Sequence, residues 1–99
     1  MTTPQGLDDR ALELIRATLR RGFGVQGAIL FGSRAKGTAN PWSDVDLALE
    51  GVTDSLDAQR VESALDDLPL PYRFDVKALS AISHPALLAH IERVGIRIL

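Results

Sequence analysis

The segment Asp44-Val-Asp-Leu-Ala-Leu-Glu50 alternates with a period of two. Val45, Leu47 and Leu49 fall on one side, and Asp44, Asp46 and Ala48 on the other. A strand with one buried and one open face has this pattern. Two further segments can pair with it. Val25 to Phe31 reads as a buried strand whose apolar end, Ala28-Ile29-Leu30-Phe31, stops at Gly32. Tyr72 to Leu79 alternates again, with Tyr72, Phe74, Val76 and Ala78 opposite Arg73, Asp75 and Lys77.

Helical spacing separates these strands. Leu7, Ala11, Leu14, Ile15, Thr18 and Leu19 form one face of a helix from Leu7 to Arg21, with acids in the first turn and Gly22 after the last. Val61, Ala64, Leu65 and Leu68 mark a second helix from Ser55 to Asp67, which Pro69 and Pro71 end. Leu87, Leu88, Ile91 and Val94 mark a third, with Ser83 as its expected cap and Gly95 as its stop. Gly95 to Leu99 reads either as a short edge strand or as an apolar tail. About a dozen residues join the first two strands, close to the minimum for a parallel crossover, so an antiparallel pair is expected. The link from Glu50 to Tyr72 contains a helix and suits a parallel crossover. The expected fold is α+β: a small mixed sheet with helices packed on one face, Val45, Leu47 and Leu49 beneath them, and Asp44 and Asp46 on the open side.

Ninety-nine residues suit a single domain spanning 1–99, with roughly two-thirds of its surface buried. Apolar residues make up 45%, which argues against disorder. No apolar run approaches the ~18 residues of a membrane span. The N-terminal stretch does not read as a signal peptide. Without cysteine there is no disulfide, zinc-thiolate site or thiol nucleophile, in keeping with a cytoplasmic location. A net charge of −2 does not suit direct nucleic-acid binding. The charge is uneven, however: residues 38–67 carry eight acidic side chains and one basic. Of these, Asp54, Asp57, Glu62, Asp66 and Asp67 read as a solvated helix and loop.

Asp44 and Asp46 require another account. Two residues apart on a strand, their Cα atoms lie about 6.6 Å apart on one face. From there both carboxylates can reach a pair of divalent ions about 3.5–4 Å apart. Hard carboxylate oxygens are the donors Mg²⁺ takes, with water and substrate phosphate completing its shell. Gly32 and Ser33 follow the apolar strand. A glycine lets backbone approach a phosphate closely, a turn there aims N–H groups at an anion, and Arg34 and Lys36 add positive charge. An antiparallel return puts this turn beside Asp44, so anion donors and metal ligands converge as Mg²⁺-bound nucleoside triphosphate requires.

The joint pattern, Gly32-Ser33 followed by Asp44-x-Asp46, each at a strand boundary, resembles the nucleotidyltransferase signature of the DNA polymerase β superfamily. It is most similar to the minimal nucleotidyltransferase (MNT) group, and the likeness covers almost the whole chain, from the first helix through Leu79 and on to Ile98. The resemblance implies that Gly32 and Ser33 hold the β- and γ-phosphates and that Asp44 and Asp46 bind two Mg²⁺ ions. It implies a third metal-binding carboxylate on a later strand, which Asp75 matches. Asp44, Asp46 and Asp75 would then be the catalytic set, with Arg34 and Lys36 beside the nucleotide. Lys36 stands where the family often has arginine, and it lacks the guanidinium fork. The implied reaction is attack of a hydroxyl on the α-phosphorus, with pyrophosphate leaving.

Members of the MNT group are typically paired with a small helical HEPN-domain protein, often a ribonuclease toxin, and neutralise it by transferring AMP from ATP to a tyrosine. The resemblance implies that role here, with the acceptor site supplied by the partner or by a homodimer. Two other readings stay open: a non-catalytic module that neutralises its partner by binding, and a transferase for a small hydroxylated acceptor. Other polar residues read more plainly. His84 and His90 lie about 240° apart around a helix and make a poor metal pair. His84 reads as a helix-start residue and His90 as a partly exposed helix residue. Trp42 reads as loop packing or a base-stacking side chain, and Arg73 and Lys77 as phosphate contacts or edge solvation.

Overall fold

The computed structural model describes residues 7–32 and 44–99. Its strands are β1 (Gly27–Phe31), β2 (Val45–Glu50), β3 (Phe74–Ala78) and β4 (Ile96–Arg97). They form one sheet in the order β3-β2-β1-β4. β1 runs antiparallel to β2 and to β4, and β2 runs parallel to β3. Both pairings expected from connection length are present. The open question at the C-terminus resolves as a short edge strand, after which Ile98 and Leu99 return hydrogen bonds to Ala28.

The helices are α1 (Asp9–Leu19), α2 (Ser55–Asp66) and α3 (Pro85–Val94). Asp8 caps α1 by accepting from the Ala11 N–H at 2.8 Å. Leu7 and Leu12, at the spacing of a hydrophobic staple around that cap, both enter the core. Asp54 caps α2 through the Leu56 N–H at 2.9 Å. The cap of α3 is His84, whose Nδ1 accepts from the Leu87 N–H at 3.3 Å. Ser83, the expected cap, lies one residue too early: Pro85 takes the first helical position, where its missing N–H costs nothing.

α1 and α2 pack on the sheet face formed by Val45, Leu47 and Leu49, and all three side chains are fully buried. Ile15, Leu19, Val61 and Leu65 close the core from the helix side. The other face is not bare over its whole width. α3 lays Ile91 and Leu87 against Ile29, Phe31 and Ala48 in a second, smaller apolar cluster. Helix α3 thus covers the β1 side of the face to which Asp46 and Asp75 belong, and the carboxylates occupy the rest.

Two of the acids read as a solvated face also have structural work. Glu62 accepts from the Val76 N–H at 2.9 Å and Asp66 from the Phe74 N–H at 3.2 Å. These are the outward donors of β3, a strand at the sheet's edge. The match is geometric: four residues of helix rise about 6 Å, and two residues of strand about 6.6 Å. The α2 carboxylates therefore occupy an edge that would otherwise offer itself to another strand.

Candidate functional site

Gly32, Asp44, Asp46 and Asp75 come together at one end of the sheet. Asp46 is the register partner of Phe31 on one side and of Asp75 on the other. Neighbouring strands lie about 4.8 Å apart, and partners in register point the same way. Asp46 and Asp75 are therefore adjacent, half-buried carboxylates on one face. Asp44 is exposed and directly precedes β2. The next residue, Val45, ties this end of β2 to the approach of β3 by donating its N–H to the Arg73 carbonyl at 2.8 Å. Ser33, Arg34, Lys36 and Trp42 lie outside the described residues.

Gly32 has φ +77°, a left-handed conformation that favours glycine. A Cβ there would also overlap Oδ2 of Asp46. The glycine thus does two things: it turns the chain out of β1, and it leaves room for the Asp46 carboxylate. Its N–H donates to Nε2 of His90 at 3.1 Å. The His90 ring meets the Phe31 ring edge-on, with centroids 6.4 Å apart and planes at 80°. His90 is the partly exposed helix residue the sequence indicated, and it also reaches this site. Helical periodicity shows which way a side chain points but not which backbone group it meets, so nothing in the sequence marked it.

Asp75 forms an ion pair with Lys77 at 3.2 Å. The side chains are 47% and 42% exposed, so the pair is worth at most about 1 kcal/mol. A shallow depression beside it is lined by Asp44, Glu62, Asp66, Arg73, Phe74 and Asp75. Glu62 and Asp66 are already engaged with the β3 backbone.

The donor set suits a hard divalent cation: carboxylate oxygens from two adjacent strands, on one face, beside a glycine bend. Among the described residues no three acidic or imidazole groups are gathered tightly enough to hold an ion as they stand. Asp75 is turned to Lys77, a weak partner that a divalent ion can displace.

A mixed sheet with an acidic pair in register beside a glycine turn is the frame of a nucleotidyltransferase. Residues 13–99 match the family described as polymerase β nucleotidyltransferase, and the chain belongs to that family. No curated protein matches it. Among solved structures it is similar to a mutant MntA–HpeT toxin–antitoxin complex, at 20% identity and TM-score 0.67, over 92% of this chain and 71% of that one. It is also similar to a toxin–antitoxin structure with AMP-PNP, at 26% identity and TM-score 0.62, over 94% and 73% of the two chains. A third likeness is to a tri-AMPylated Shewanella oneidensis HEPN toxin in complex with an MNT antitoxin, at 19% identity and TM-score 0.61, over 92% and 67%. The fold is thus that of MntA-type antitoxins. No helix among the described residues is long and apolar enough to cross a membrane.

Proposed function

We propose that this single domain is a Mg²⁺-dependent nucleotidyltransferase that moves AMP from ATP to a tyrosine of a HEPN-type toxin, and so acts as its antitoxin. The observation that carries this reading is the register pairing of Asp46 with Asp75 next to the Gly32 bend. That pairing provides metal-type oxygens from two strands beside a backbone turn suited to phosphate. The AMP-PNP in one similar complex and the AMPylated toxin in another support the nucleotide and the acceptor.

In this reading Asp44, Asp46 and Asp75 hold the metal. Bound Mg²⁺ would offset the charge of the triphosphate and of the departing pyrophosphate. Gly32 and Ser33 seat the β- and γ-phosphates, with Arg34 and Lys36 contributing positive charge. Asp75 helps activate the acceptor hydroxyl by taking its proton as the oxygen attacks the α-phosphorus. One P–O bond forms, one breaks, and pyrophosphate leaves. Rate enhancement comes from holding the two reactants in line. The acceptor tyrosine arrives on the partner's surface.

One observation favours a second reading. The Asp75–Lys77 ion pair engages one of the candidate metal ligands, which suits a module that neutralises its partner by binding alone. One experiment separates the two. The chain and its HEPN partner are incubated with Mg²⁺ and ATP, and the partner is weighed by mass spectrometry. Added AMP units, absent with Asp44→Asn, support transfer. Tight complex formation with no added mass supports the binding module. Neither complex nor added mass refutes both.

A further inference from the structure

The hydrogen bond between Gly32 and His90 spans 58 residues of sequence and joins α3 to the turn that leaves β1. The strand has just ended, Gly32 has no partner in the register of β2, and a side-chain nitrogen takes the place of a ladder carbonyl. The ring must carry its proton on Nδ1 for Nε2 to accept.

The imidazole is itself firmly placed. Its edge-on contact with Phe31 orients the ring plane. The next residue, Ile91, is buried against Phe31 and Ala48. The helix end is fixed as well, because Gly95 donates to the Ile91 carbonyl at 2.8 Å. On the other side of the turn, the Asp46 carboxylate packs where a Gly32 side chain would be. The bend is thus held between a histidine and a candidate metal ligand.

We infer that His90 is a positioning residue for nucleotide binding: by taking the Gly32 N–H it fixes the glycine bend against which the Asp46 carboxylate packs. This inference rests on the nucleotide-binding reading above. It also assigns Gly32 a narrower part, since its own amide is engaged by the imidazole and is not a phosphate donor while that bond stands. His90 acts through the Gly32 backbone and the Asp46 carboxylate packed on it.

The test compares His90→Leu, which keeps apolar packing on Phe31 but accepts no hydrogen bond, with His90→Gln, whose amide oxygen can replace Nε2. ATP affinity in Mg²⁺ is measured by calorimetry, and the exchange rate of the Gly32 amide by NMR. Melting curves confirm that both variants are folded. A neutral hydrogen bond of ordinary net strength corresponds to roughly a tenfold change in affinity. His90→Leu should weaken ATP about tenfold and speed Gly32 exchange, and His90→Gln should restore both. If the wild type binds ATP and folded His90→Leu binds it equally well, the inference is overturned and the nucleotide-binding reading survives. Equal loss in both variants also overturns it, because a role in packing alone would not distinguish them in this way. If the wild type itself binds no ATP, the proposed function fails first.

Discussion

Replacing Gly32 with alanine should destabilise the fold through two separable effects. The first is backbone strain. Gly32 sits at φ +77°, where a side chain costs about 1–2 kcal/mol. The second is overlap of the new Cβ with Asp46 Oδ2, with Asp46 Cγ only 3.2 Å away. The carboxylate must rotate off its preferred position, at about 0.5–1.5 kcal/mol. Alanine also stiffens the unfolded chain, which offsets about 0.4–1 kcal/mol. The net loss is about 2 kcal/mol, or a fall in Tm of roughly 8–15 °C for a domain of this size. Thermal and urea melts measure it. Repeating the substitution in an Asp46→Ala background removes the overlap and leaves the strain, so the penalty should fall by roughly 1 kcal/mol. A Gly32→Ala protein as stable as the wild type would refute the conformational argument. The same penalty in both backgrounds would refute the contact with Asp46.

The β3 edge and the outer ion pair offer two more tests. Glu62→Leu should cost about 1–3 kcal/mol by leaving the Val76 N–H without its acceptor, while Glu62→Gln, which keeps a carbonyl oxygen, should cost much less; equal urea midpoints for the two would show that the edge bond contributes nothing. Glu50 and Arg97 meet at 2.6 Å across Gly27, which has no side chain to separate them. The hydrogen bond from Arg97 holds the Glu50 carboxyl below the usual glutamate range, so its contribution is present above the unfolded value and lost as pH falls through the lowered one. The Tm difference between wild type and Glu50→Gln should therefore be open at neutral pH and close in acid; a difference that stays constant through the carboxylate range would contradict this.

Much of the fold was legible because strand and helix periods were clean. The alternation from Asp44 to Glu50 placed Val45, Leu47 and Leu49 in the core, and all three are fully buried. Connection lengths alone indicated which strand pair runs antiparallel and which parallel. Asp75 was assigned to the open face by parity with Phe74 and Val76, and it lies there in register with Asp46. Contacts between elements distant in sequence were not legible. Glu62 and Asp66 looked like surface charge because an exposed carboxylate and one bonded to a strand edge have the same local sequence. His90 read as a partly exposed helix residue, which it is, but its contact with Gly32 was hidden because the partner is a backbone N–H, which every residue but proline carries. The spacing of Glu62 and Asp66, one helical turn apart and facing alternate residues of β3, was the one available signal for the edge contact.

The most direct test of the carboxylate site is calorimetric binding of ATP with and without Mg²⁺, in the wild type and in Asp46→Asn and Asp75→Asn. The site described here predicts that ATP binds the wild type at least about tenfold more tightly with the metal present, and that each substitution removes most of that dependence while the melting curve stays close to wild type. ATP affinity indifferent to Mg²⁺, or a metal dependence that survives both substitutions, would contradict it.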